Sequence, residues 1–69
     1  MDLKAGQMLI CKEELAKKFP KTRTLGKAYM IKQVVGTNIY VYNDNGGSGI
    51  YHKSDIDKYF TIQQNELWI

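Results

Sequence analysis

Apolar and polar residues alternate in several short stretches of this chain, and glycine or asparagine bounds each stretch. The clearest stretch is Asn38-Ile39-Tyr40-Val41-Tyr42, which runs into Asn43-Asp44-Asn45-Gly46-Gly47-Ser48-Gly49 and returns as Ile50-Tyr51-His52. Period two predicts a strand, and Asn-Gly between apolar runs is a strong hairpin signal. With Ile39 and Val41 inward, Tyr40 and Tyr42 project together from the other face, because successive side chains leave a strand on opposite sides. Tyr51 returns on the paired strand, so the three tyrosines predict one exposed aromatic patch.

The same reading extends to the rest of the chain. Gln7-Met8-Leu9-Ile10-Cys11 predicts a first strand with Met8 and Ile10 on its buried face. The period then changes. Glu13 with Lys17 and Glu14 with Lys18 form i,i+4 pairs in the favoured order, Leu15 and Phe19 share a face, and Pro20 ends the pattern. A short helix is expected over 12–19, inside a long first connection. Ala28 to Val35 predicts a second strand, and Gly36-Thr37-Asn38 a tight turn into the tyrosine strand. Ser54 as N-cap, Asp57 three residues later, and Ile56, Tyr59 and Phe60 at helical spacing predict a helical turn over 55–60. Residues 61–69 end in Leu67-Trp68-Ile69 and read either as a closing strand at 66–69 or as a polar tail with an apolar tip.

Short strands, a long first connection and a helical turn near the end predict a mainly β fold. The expected architecture is a five-stranded barrel with one or two short helices, which closes the sheet and removes its unpaired edges. The expected core is Met8, Ile10, Ile31, Ile39, Val41, Ile56 and Phe60. Tyr29 is expected to pack inward with its hydroxyl at the rim, with Tyr59 and Phe60 buried under the helical turn.

Length and charge narrow the function classes. Sixty-nine residues make a single domain spanning 1–69, without repeat or linker. A chain of this size buries only about 60% of its unfolded surface. One cysteine, Cys11, allows no internal disulfide and suits a reducing cytoplasm. No apolar run approaches the ~20 residues of a membrane span. Met1-Asp2-Leu3-Lys4 lacks the order of a signal peptide, so a soluble cytoplasmic protein is expected. The net charge is +3, and five of the ten basic residues (Lys17, Lys18, Lys21, Arg23 and Lys27) fall in one stretch with no acid in it. That stretch is either a solvated loop or a cationic lip beside the tyrosine face.

The chain resembles the small SH3-like barrel proteins of bacteriophages and prophages. The resemblance rests on Lys4 to Cys11, on Leu25-Gly26-Lys27-Ala28-Tyr29-Met30-Ile31, on Ile39 to Gly46 and on His52 to Phe60. It covers roughly residues 4–60, and its motifs are structural. It implies an SH3-like barrel and, beyond that, a phage accessory factor that docks on a host protein. The charged helix in the first connection and the long tail after Phe60 depart from the pattern. SH3-like barrels bind peptides, proteins and nucleic acids, so the fold alone decides no activity.

Catalytic and metal chemistry find little support in the residues. Cys11 and His52 are the only thiol and the only imidazole, and nothing in their spacing brings them together. Cys11 in a strand reads as a small buried hydrophobe, and His52 as an exposed residue at a strand end. No zinc-ligand spacing exists, and Asn43-Asp44-Asn45-Gly46 lacks the later acid of a calcium loop. Gly46-Gly47-Ser48-Gly49 has no helix after it to form a phosphate cradle. No cofactor is expected, and the chain does not read as an enzyme.

Two binding readings remain. In the first, the protein is a non-enzymatic module for a protein partner, with Tyr40, Tyr42 and Tyr51, the basic Lys17, Lys18, Lys21 and Arg23, and Trp68 as contact residues. In the alternative, it binds nucleic acid, with stacked tyrosines and the basic stretch along the phosphates. Surface Tyr and Trp also leave a homodimer open.

Overall fold

The computed structural model describes residues 3–63. It shows a mainly β chain: β1 (Met8–Cys11), α1 (Glu13–Lys18), β2 (Ala28–Val35), β3 (Asn38–Tyr42), β4 (Ser48–His52), a 3₁₀ turn (Lys53–Asp55), α2 (Ile56–Tyr59) and β5 (Phe60–Ile62). All strand pairs are antiparallel, in the order β4-β3-β2-β1-β5. The sheet curls into a half-barrel whose ends are β4 and β5. Five antiparallel strands with only short helices are the mainly β fold expected from the sequence, and among the described residues β4 and β5 are the end strands.

β2 makes the curl. Its first half pairs with β1, Met8 opposite Met30 and Ile10 opposite Ala28, and its second half pairs with β3. At the junction the register slips between Ile31 and Gln33, so one extra residue bends the strand. Past the slip, Val34 again faces inward opposite Ile39, while Gln33 faces outward opposite Tyr40.

The concave face holds the core of Leu9, Cys11, Leu15, Tyr29, Ile31, Ile39, Val41, Ile56 and Phe60. Ile31, Ile39, Val41, Ile56 and Phe60 are buried as expected; Met8 and Ile10 are not. Met-Leu-Ile-Cys is apolar throughout, so period two cannot say which pair faces in. The neighbours decide: Leu9 lies opposite Tyr29 and Ile62, and Cys11 opposite Phe60, which places Leu9 and Cys11 inward and Met8 and Ile10 on the convex side.

α1 lies within the predicted 12–19 span and inserts Leu15 into the core. Phe19 does not share that burial. It leaves the helix at the C-cap, φ −132° and ψ 67°, and is exposed. The turn near residue 55 also starts differently from its prediction. The His52 ring, not Ser54, supplies the cap: Nδ1 accepts the Ser54 N–H at 3.1 Å, and α2 has no side-chain cap. Phe60 already belongs to β5. The stretch at 66–69, open between a closing strand and an apolar tip, lies outside the described residues.

Candidate functional site

The sheet places the candidate residues on two different faces. On β3, Tyr40 lies opposite Ile50 of β4 and Gln33 of β2, and Tyr42 lies opposite Ser48. Continuing the Ile31–Val41 register sets Met30 beside Tyr42. These residues form the convex face, where Met30 is 44%, Tyr42 39% and Ile50 60% exposed and Tyr40 is half-buried. Lys32, at the register slip, holds its ammonium 5.9 Å from the centre of the Tyr42 ring.

Tyr51 does not join this patch. It lies opposite Ile39, so it points to the concave side and packs against the core. Its ring meets Phe60 edge-on at 5.3 Å and Tyr59 at 6.0 Å. Hairpin geometry rather than composition decides this. Two residues share a face only when their sequence numbers match in phase across the turn, and the five residues from Asn43 to Gly47 put Tyr51 in phase with Ile39 and Val41.

Arg23 departs furthest from its sequence reading. Expected at the surface, on a solvated loop or a cationic lip, it is 3% exposed, the one buried charged residue among those described. Its guanidinium donates to the Tyr42 carbonyl, to the Val41 carbonyl at 3.2 Å and, through Nε, to the Tyr51 hydroxyl at 3.2 Å. It lies 4.6 Å from the centre of the Tyr29 ring, 5.5 Å from that of Tyr51 and 5.6 Å from that of Phe60. A planar, weakly hydrated cation suits such a cage, where ring faces and carbonyls replace its water. Gly49 makes room: a Cβ there would stand 3.2 Å from Tyr51 Oη and 3.3 Å from Arg23 Nη2. Arg23 has the look of a surface residue in sequence, and only the loop's path over β3 and β4 reveals its role.

The loop that carries Arg23 is tied to the hairpin. Asp44 donates its backbone N–H to the Thr22 carbonyl at 3.1 Å, and its carboxylate accepts from Lys27 Nζ at 2.5 Å, Thr24 Oγ1 at 3.0 Å and Tyr29 Oη at 3.0 Å. The bond from Lys27 is the main reason the Asp44 carboxyl titrates below the usual carboxylate range, and Thr24 and Tyr29 add to it against the opposing effect of desolvation. The same bond raises the Lys27 ammonium. The hairpin tip closes through Asn43, whose Oδ1 accepts from the Asn45 and Gly47 amides, with Gly46 at φ +83°.

Lys17 pairs with Glu13 at 3.9 Å on the exposed face of α1. Lys18 donates to Tyr59 Oη at 3.2 Å. Among the described residues, neither Lys18 nor Lys21 has an acidic side chain within 4.0 Å. Trp68 lies outside the described residues. Two hollows flank β4. One, of about 250 Å³, opens beside Phe19, Arg23, Asn43, Gly49 and Tyr51. The other, of about 360 Å³, lies at the strand's far end among Leu3, His52, Lys53, Ile56, Asp57 and Ile62.

Cys11 and His52 remain apart in their bonding. The Cys11 thiol is buried and donates to the Lys12 carbonyl at 3.4 Å; burial pushes its pKa up, with the nearby Arg23 charge acting against it. His52 Nδ1 is engaged by Ser54. Among the described residues, no three His, Cys, Asp or Glu side chains gather as a metal site. No helix of the described residues is long and apolar enough to cross a membrane. No family model, curated protein or solved structure matches the chain.

Proposed function

We propose that this protein is a non-enzymatic protein-binding module whose contact surface is the convex sheet face around Tyr40 and Tyr42. The observation that carries the reading is the row of exposed apolar groups there, Met30, Tyr42 and Ile50, side by side around Tyr40 on paired strands. Rigid aromatic and apolar side chains on a strand scaffold are ordered before contact, so little conformational entropy remains to be lost on binding. The raised pKa of Cys11 weighs against a thiolate nucleophile, which requires the opposite shift.

The resemblance to phage and prophage SH3-like proteins supports a bacterial host protein as the partner and the host cytoplasm as the setting. The nucleic-acid alternative has less charge to work with than the sequence suggests. Arg23 is buried, Lys17 faces Glu13, and the Phe19 to Arg23 loop packs on the concave side, away from Tyr40 and Tyr42.

The test is capture from a bacterial lysate after nuclease treatment, with the natural protein and a Met30→Ser/Tyr42→Ser variant shown by circular dichroism to be folded. A specific protein retained by the first and lost by the second supports the reading. Capture that needs intact nucleic acid, or that the double variant retains in full, overturns it.

A further inference from the structure

The free edge of β4 borders both the convex patch and the hollow above Arg23. Asn43 donates to the Gly47 carbonyl and Lys53 to the Thr37 carbonyl at 2.7 Å, so the pairs that exchange bonds with β3 are Val41 with Gly49 and Ile39 with Tyr51. By alternation, the N–H and C=O groups of Ser48, Ile50 and His52 point away from β3. Among the described residues, β4 has no neighbour on that side. Such edges are ordinarily guarded by lysine, an inward charge, proline or a bulge. Ser48-Gly49-Ile50-Tyr51-His52 has none of these, and its pairing with β3 is regular along all five residues. The opposite edge, β5, is only three residues long.

We propose that the β4 edge receives an extended acidic segment of the partner as a sixth antiparallel or parallel strand. The segment's backbone bonds to Ser48, Ile50 and His52. One side chain enters the hollow of about 250 Å³ between Phe19 and Tyr51, and its neighbours two residues away on either side carry carboxylates toward the lysine-bearing loop. Charge selects the occupant. Lys18 and Lys21 flank Phe19, no acid lines the hollow among the described residues, and the hairpin carboxylate of Asp44 is already engaged by Lys27, Thr24 and Tyr29. A second copy of this chain, with net charge +3, would bring the same lysines against these. The inference rests on the protein-binding reading above and adds the mode and chemistry of the contact.

The test uses a capped seven-residue peptide, Thr-Glu-Thr-Val-Thr-Glu-Thr, titrated into the isotope-labelled protein and followed by amide shifts. Val and both Glu then lie on one side of the added strand. Shifts are expected at residues 48–52 and in the Phe19 to Arg23 loop. Two N-methylated versions discriminate the mode: methyls on one set of alternate residues face β4 and should weaken binding at least about thirtyfold, while methyls on the other set face solvent and leave it nearly unchanged. Replacing both Glu by Gln, or Lys18 and Lys21 by Gln, should each weaken binding by about fivefold. Equal affinity of the two methylated peptides, indifference to the charge changes, or shifts confined to β4 of a protein that dimerises without peptide would each overturn the proposal. If the peptide does not bind while Met30→Ser/Tyr42→Ser abolishes capture, the edge fails and the convex-face reading stands. Frame-dependent peptide binding with capture unaffected by that variant gives the reverse.

Discussion

Replacing Arg23 by alanine should cost this small domain a large share of its stability, although the residue looks like surface in the sequence. The guanidinium donates to two backbone carbonyls and the Tyr51 hydroxyl, and three aromatic rings surround it. Charge-assisted bonds contribute ~1.5–3 kcal/mol each when made, and the acceptors left behind lose a partner inside the fold. Against this, alanine removes the cost of keeping a cation out of water. Allowing for that offset and for a single shared site, we expect a net loss of ~3–4 kcal/mol. At ~0.05–0.15 kcal/mol per residue the whole domain has roughly 3–10 kcal/mol, so the variant stands near unfolding. Arg23→Met keeps much of the stem and should lose less, about 2 kcal/mol.

Urea unfolding followed by circular dichroism measures both, with Lys21→Ala as the control expected within about 0.5 kcal/mol of the natural protein. An Arg23→Ala midpoint no lower than that of Lys21→Ala would refute the cage. So would Arg23→Met proving as stable as the natural protein, because the polar contacts would then contribute nothing beyond packing.

Other outcomes follow from the same geometry. Leu9→Ala should cost ~2–5 kcal/mol and Met8→Ala clearly less, since Leu9 faces the core and Met8 the convex side; equal losses in urea would contradict the register of β1. Gly49→Ala should destabilise by about 1–3 kcal/mol through crowding of Tyr51 and Arg23, and combining it with Arg23→Met should relieve part of that cost. Gly46→Ala has open space around it and should cost only about 1 kcal/mol, from its positive φ. Asp44 titrates lower in the folded state than in the unfolded chain, so its contribution is full above the unfolded carboxylate pKa of about 3.9 and lost as pH falls through the folded value. The melting temperature of Asp44→Asn should therefore lie below that of the natural protein at neutral pH and converge with it on acidification; a constant gap would contradict the Lys27 contact.

Strands and turns were legible because local chemistry settles them. The Asn43 to Gly47 tip, the period-two runs of β3 and the short α1 fall where the residues place them. What escaped is set by contacts distant in sequence. Which side of Met8-Leu9-Ile10-Cys11 is buried depends on β2 and β5, and which face Tyr51 takes depends on the turn's residue count. Arg23 carries no local signal at all, because its partners Val41, Tyr42 and Tyr51 lie 18, 19 and 28 residues away. Ser54 was a reasonable cap by residue type, yet the cap belongs to the His52 ring, which accepts the N–H of Ser54 itself.

The divided use of the two sheet faces explains why binding and stability should separate experimentally. A chain of 69 residues can bury one face of a five-stranded sheet, and here the concave face takes α1, α2, the Arg23 cage and the inward tyrosines. Single exposed apolar residues are ordinary on any protein. The convex face differs in that Met30, Tyr42 and Ile50 lie on adjacent strands around Tyr40, a contiguous arrangement of the kind that marks an interaction surface. Substitutions there remove little packing, because each side chain already has water on one side. Loss of capture by Met30→Ser/Tyr42→Ser with an almost unchanged urea midpoint is therefore the signature expected of a contact surface. A large fall in stability on those same substitutions would mean that the convex face serves the fold instead.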